Sequence, residues 1–358
     1  MINDRLPKQL KRLGGAVAAV TVLLVVAGAP SAVADSAWWH LSSTSWPAVL
    51  PSSGEGTIDV IAQNLGDAQV TGSTLRIVDR LPAGVAPQRV SLFLSRFGAT
   101  IDFGFLCEVS GQEVACTLPD EESFPFLSFV PINPYEDVEI RVPVTVQGAS
   151  SDAANEVSVS GGGALPASLK RPLSIGDTPA GYGIENYELM PENADGSVDT
   201  QAGSHPFQLT TTLALNQPAD PGHPTALAKD LYFNLPSGLV GNPTPFPQCT
   251  TAKFSANEEL GVNLCPNDTA VGVASVTIEP YGAPGGSTTF TVPVPLFNLT
   301  PAVGEPARFG FKIFTVPVIL DTAVRTGGDY GVTVSVRNIS QLVAFLSSSV
   351  TFWGVPGD

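Results

Sequence analysis

The sequence has little charge, little histidine and almost no helical periodicity. Charged residues make up 14% of the 358, and histidine occurs three times, at His40, His205 and His223. His205 and His223 each precede proline. A Ser–His–acid triad would have to draw on one of the three, yet no Gly-x-Ser-x-Gly elbow accompanies them, and loop histidines are the plainer reading. Zinc would need a Cys-x-x-Cys pair or a histidine close to the cysteines, and neither occurs. No glycine-rich phosphate loop is present. These absences leave no catalytic site and no cofactor to expect. With 43% hydrophobic residues the balance is nevertheless that of a folded chain.

What is present begins with an export segment. Arg5, Lys8, Lys11 and Arg12 precede an uncharged apolar run from Leu13 to Ala29. Pro30 ends the run, and Ala32-Val33-Ala34 supplies the small residues of a signal-peptidase site. A secretory signal over residues 1–34, cleaved between Ala34 and Asp35, is expected. The alternative is an uncleaved membrane anchor, for which the uncharged stretch is just long enough. Either way the bulk of the chain lies outside the membrane. Without residues 1–34 there remain 13 basic and 32 acidic residues, a net charge of −19. Such a surface disfavours nucleic acid and favours solubility.

All four cysteines follow the signal. A hairpin centred on Gly111-Gln112 places Cys107 opposite Cys116, and Cys249 with Cys265 forms the second pair. Two local bridges are the expected use of cysteine in an exported protein, each worth roughly 3 kcal/mol by loop entropy. Between them the chain alternates with period two. Val138, Ile140, Val142, Val144 and Val146 share one face, and Glu139, Arg141, Pro143 and Thr145 the other. Pro143 suggests an edge strand. The segments from Phe207, Phe290, Phe309 and Val332 alternate likewise. Gly and Pro, 35 and 32 in number, supply the turns.

The expected fold is all-β, with two antiparallel immunoglobulin-like β-sandwich modules after the N-terminal hydrophobic signal helix. Gly161-Gly162-Gly163 closes the first block. The expected divisions are a first module over 35–165, a linker over 166–182 and a second module over 183–358. Leu81-Pro82-Ala83-Gly84 and Leu235-Pro236-Ser237-Gly238 echo each other and suggest related modules, although such turns also recur by chance. Phe352 to Asp358 reads as a strand running into a linker, the pattern of a fragment of a longer protein.

Residues 40–162 resemble the conserved-repeat domain of unknown function, an immunoglobulin-like module of bacterial envelope and surface proteins. The resemblance rests on Gly56 to Gly66, on Val78-Asp79-Arg80-Leu81-Pro82-Ala83-Gly84-Val85, on Cys107 with Val114 to Leu118, and on Asn155 to Gly161. It implies surface exposure with a spacer or adhesive role, and it carries no catalytic residues. The remainder resembles uncharacterised secreted proteins of actinobacteria. An internal Lys–Asn crosslink is another device of bacterial surface modules. No lysine lies between Lys11 and Lys170, which excludes it from the first module. Lys229, Lys253 and Lys312 leave it open in the second.

Other candidates are weaker. Acidic pairs stand at Glu121-Glu122, Glu136-Asp137 and Glu258-Glu259. A glycosidase needs two carboxylates facing across a cleft, and adjacent acids in turns are more often solvated. Asn193, Asp195 and Asp199 surround Gly196, but an EF-hand register would put Pro191 first and Ala202 last, and neither ligates. An irregular calcium site or a plain polar turn remains. Trp38, Trp39 and Trp46 offer either a sugar platform or core. The expectation is a non-enzymatic structural or interaction protein of the cell envelope. A cell-wall carbohydrate-binding protein is the alternative, and a secreted hydrolase the third choice.

Overall fold

The computed structural model describes residues 35–71, 74–97, 101–119, 131–150, 152–220, 224–256, 264–280 and 289–355. The signal segment with Ala34, the pairs Glu121-Glu122 and Glu258-Glu259, and His223 lie outside the described residues. Asp35–Asp358 forms one compact unit built almost wholly of antiparallel strands.

The first half contains β1 (Trp39–Trp46), β2 (Ser53–Asn64), β3 (Leu75–Arg80), β4 (Val85–Pro87), β5 (Ser91–Leu94), β6 (Cys107–Ser110), β7 (Glu113–Leu118), β8 (Asp137–Gln147), β9 (Ala154–Gly161) and β10 (Ala164–Pro172). They form two sheets, β1-β2-β8-β4 with β5 also on β8, and β10-β9-β3-β7-β6. Alternation decides the packing. Val138, Ile140, Val142, Val144 and Val146 are all buried and meet Ile77, Val157, Val159 and Cys116 of the facing sheet. The β6–β7 hairpin sets Cys107 opposite Cys116, with Gly111 at φ 63° in its turn, and the two cysteines are bonded.

Two expectations change here. Strand β8 is interior, not an edge: β2 bonds one side, and β4 and β5 the other. Pro143 is tolerated because β4 ends at Pro87 and β5 begins at Ser91. Its carbonyl accepts from Gln88 N at 2.8 Å in that gap, so its missing N–H falls on the same unladdered edge. The linker also begins later than residue 166. Gly161, Gly162 and Gly163 all have positive φ and turn the chain into β10, which pairs with β9 as far as Pro172↔Ala154. Pairing with β9 keeps this stretch in the sandwich, and only residues 173–183 connect the halves.

The second half contains β11 (Ile184–Glu192), β12 (Gln208–Leu215), β13 (Leu231–Asn234), a short helix α1 (Thr251–Ser255), β14 (Ala270–Pro280), β15 (Phe290–Leu299), β16 (Arg308–Ile313), β17 (Val316–Val324), β18 (Val332–Val336) and β19 (Val343–Trp353). It does not split into two sheets. One nine-stranded sheet runs β11-β12-β19-β14-β15-β16-β17-β18-β13. Strand β15 carries Pro293 and Pro295, which cannot donate to a ladder, and it bonds β16 only over Phe297–Leu299. The sheet folds over at that weak seam. Val276 and Ile278 of β14 then meet Phe311, Leu320 and Val336 of β16–β18. Leu213 and Leu215 of β12 reach Leu231 and Phe233 of β13, from the other end of the strand order.

The echoed turns match in detail. Val85 N donates to Pro82 O at 3.1 Å and Leu239 N to Pro236 O at 3.2 Å, with Gly84 and Gly238 at φ 84° and 89°. Around them the two halves differ in sheet topology, so the likeness is that of a tight turn leaving a strand.

The second disulfide, Cys249–Cys265, lies beside Phe254 of α1, Phe297 and Leu299. It closes a loop of 16 residues. Replacing both cysteines by alanine is expected to lower the unfolding free energy by about 3 kcal/mol, read as a shift in urea midpoint.

Candidate functional site

A polar joint between the two halves concentrates the buried charge. Residues of β1 and β2 that do not face the first core alternate outward: His40, Ser42, Thr44 and Trp46, then Asp59, Ile61 and Gln63. Register places Arg141 of β8 opposite Asp59, and Asp137 opposite Gln63. Against this face lie Thr212 of β12, Ser275 and Thr277 of β14, and Ser347 and Ser349 of β19, around a cavity of about 70 Å³. A face that alternation marks as solvated is therefore covered.

Hydrogen bonds cross the joint along its length. Gln63 Nε2 donates to Ser275 Oγ at 2.8 Å, and Gln208 Nε2 to Leu65 O at 3.3 Å. Ala48 N donates to Gln217 O at 2.8 Å, and Ser45 N to Glu185 Oε1 at 3.0 Å. Trp353 Nε1 reaches Tyr135 Oη at 2.5 Å. His40 Nε2 lies 3.2 Å from Glu188 Oε2, and that contact holds the Glu188 carboxyl below its ordinary value.

Acids dominate the joint. Asp59, Asp137 and Glu139 are buried on the first half, and Glu192 and Glu279 on the second. Arg141 bonds Glu139 through Nε and Thr289 Oγ1 through Nη2, and its guanidinium lies 5.3 Å from the Trp46 ring and 4.7 Å from Phe93. Burial, then the charge of Glu139, pushes the Asp59 carboxyl well up. Burial, then Glu139 and Glu136, does the same to Asp137. Glu185 is pushed up to about 7 by burial. Among the described residues, Oδ1 of Asp59 and Oδ2 of Asp137 accept no hydrogen bond. Asp59 and Glu139 share a hydrogen bond. They touch each other, whereas a glycosidase sets its two carboxylates apart across the substrate.

The residues singled out from sequence fall elsewhere or change role. Of the histidines, His40 is in the joint and His205 is exposed. Trp38, Trp39 and Trp46 are 4%, 5% and 9% exposed, so they are core and joint, not a platform. The loop around Gly196 covers Trp38: a Cβ on Gly196 would come 2.3 Å from the indole. In that loop Asp195 accepts from the Ser197 amide and hydroxyl, and Asp199 from Gln201 N. These donors make it a closed polar turn. Among the described residues no group of three or more His, Cys, Asp or Glu is placed to hold a metal. Glu136 pairs with Arg96 at 2.6 Å while its neighbour Asp137 enters the joint. Lys312 Nζ donates to the Ala256 carbonyl at 2.6 Å, and Lys229 and Lys253 are exposed. Sequence reasoning missed Asp59, Glu139, Arg141 and Glu279 as a group. The available signal was Asp, Glu and Arg on alternating strand faces of a chain poor in charge.

No protein-family model matches the chain, and no curated protein matches it. Among the described residues no helix is long and apolar enough to cross a membrane. Solved structures with some likeness include the major pilin subunit BcpA of Bacillus cereus, at 11% identity and TM-score 0.28, covering 50% of this chain and 56% of the pilin. Two domains of the major pilin SpaD from Corynebacterium diphtheriae match at 12% identity and TM-score 0.28, covering 82% and 88%. The C-terminal domain of the Streptococcus pyogenes antigen I/II-family protein AspA matches at 8% identity and TM-score 0.28, covering 88% and 91%.

Proposed function

We propose that the chain is a non-enzymatic structural or interaction protein of the cell envelope, with an immunoglobulin-like first module, exported by its N-terminal signal and acting as a spacer that holds whatever it presents in a fixed orientation. The polar joint carries this reading. Its bonds run from Ser45/Glu185 at one end to Tyr135/Trp353 at the other, so they fix both the distance and the angle between the halves. Two local disulfides suit an oxidising compartment. A spacer needs this and no chemistry.

Small-angle scattering of oxidised protein at pH 5 tests it. One fixed arrangement of the two halves is expected to fit the whole profile. A profile that fits only a distribution of independently oriented halves would remove the reading.

A further inference from the structure

We propose that closing the two halves on each other takes up protons at Asp59 of β2 and Asp137 of β8, so that the joint is latched in acid and released as pH rises. The proton dependence belongs to the joint and holds whatever the chain presents.

The geometry sets the charge balance. Asp59 and Glu139 stand beside Arg141, and Glu279 of the opposite half acts on the same guanidinium. Three carboxyls thus act on one cation in a buried joint. Asp137 adds a fourth acid two residues along β8 from Glu139, and Arg96 pairs with the neighbouring Glu136. Among the described residues the other cation at the joint is Arg171 of β10, which donates to Asn186 Oδ1 and the Glu185 carbonyl and acts on Glu185 and Glu188, not on Asp59 or Asp137. On β1, His40 is held by Glu188 of β11, and Glu185 of β11 adds another acid. The covering parts of β12, β15 and β19 present hydroxyls at Thr212, Thr291, Ser347 and Ser349. Ionised carboxyls with so little positive charge between them stay closed only at high cost, and protonation removes that cost.

Opening has a route. Serine and threonine hydroxyls line the joint beside Trp46, Ile61, Leu215 and Leu346, and partly polar interfaces of this kind between domains permit relative motion. The connection at 173–183 is irregular and includes Gly176, Gly181 and Gly183. Because the closed form binds the extra protons, its opening constant rises with pH. The slope approaches about tenfold per pH unit for each proton released, above the ordinary carboxylate range near pH 4.

Hydroxyl-radical footprinting of the oxidised protein from pH 4 to 9 reads this directly. Trp46 lines the joint, and Trp39, inside the first sandwich, is the internal reference. Labelling of Trp46 relative to Trp39 is expected to rise by about tenfold or more between pH 5 and 8. The Asp59→Asn, Asp137→Asn variant is expected to stay low and flat. A wild-type ratio that is constant over the range overturns the proposal, and so does a variant that rises as steeply as wild type. The wild-type series decides the matter by itself if the variant fails to fold.

Discussion

Asp79→Asn is expected to stabilise the protein by about 2 kcal/mol at pH 8 and to destabilise it by about 1 kcal/mol at pH 4. Asp79 projects from β3 into the first core, where it is 1% exposed. Asn155 Nδ2 of β9 bridges Asp79 Oδ1 at 3.3 Å and Ser43 Oγ of β1 at 3.2 Å, so one amide ties both sheets to this carboxyl. Burial pushes the carboxyl up to about 6, against the lowering effect of Asn155. A rise of about two units from the unfolded value is worth roughly 3 kcal/mol. The folded state holds the proton more tightly than the unfolded chain. The contribution is therefore full below about pH 4, declines as pH rises and is lost past about 6. Asparagine keeps the shape and never ionises, so it escapes that loss. Its added N–H meets the position of Oδ2, which has no hydrogen-bonding partner among the described residues. That unmet donor costs about 1 kcal/mol at every pH. Urea unfolding of both proteins at the two pH values checks the crossing of sign. A variant weaker than wild type by the same margin at both would show that Asp79 folds without a raised affinity for its proton.

The elements were more legible than their arrangement. Period-two alternation around Val138 to Val146 marks a strand because one face must be apolar to be buried, and a short hairpin with Gly111 in its turn brings Cys107 to Cys116. Both are local rules. Pro143 misleads because the sequence shows the missing donor but not the gap between two short partner strands that accommodates it. The triple glycine at 161–163 marks a turn correctly, yet whether a turn ends a domain or a strand depends on what the next strand pairs with. The fold-over of the second sheet follows from a three-residue ladder between β15 and β16, and only the partner strand reveals that. The joint was hidden for a more general reason. A polar face on a strand reads as a solvated face, and nothing local distinguishes it from one covered by another polar face. Asp59, Gln63, Glu139 and Arg141 gain meaning only when β12, β14 and β19 lie over them. Trp38 likewise reads as exposed or buried until the loop around Gly196 is placed against it.

Arg141→Met should have the larger effect of the two, a loss of about 3–5 kcal/mol at pH 8 that shrinks in acid. Methionine retains much of the aliphatic length between Trp46 and Phe93, so packing changes little and charge is what is removed. Asp59, Glu139 and Glu279 would then share a buried joint without the guanidinium that now acts on all three. Such a group relieves itself by binding protons or by opening. At pH 4 the first route is available, and the deficit should fall to roughly the 1–2 kcal/mol of the lost hydrogen bonds to Glu139 and Thr289. At pH 8 only opening remains, and Trp46 should become open to labelling while Trp39 stays protected. Adding Asp59→Asn and Glu139→Gln to Arg141→Met should restore most of the stability at pH 8, because neutral amides leave Glu279 as the one acid of the three that the cation balanced. The triple variant separates charge from packing. If it is as unstable as Arg141→Met alone, the arginine holds the joint by its contacts with the two rings. If it recovers, the arginine is there to offset acids that the joint itself brings together, and the halves are held apart or together by how many of those acids carry a proton.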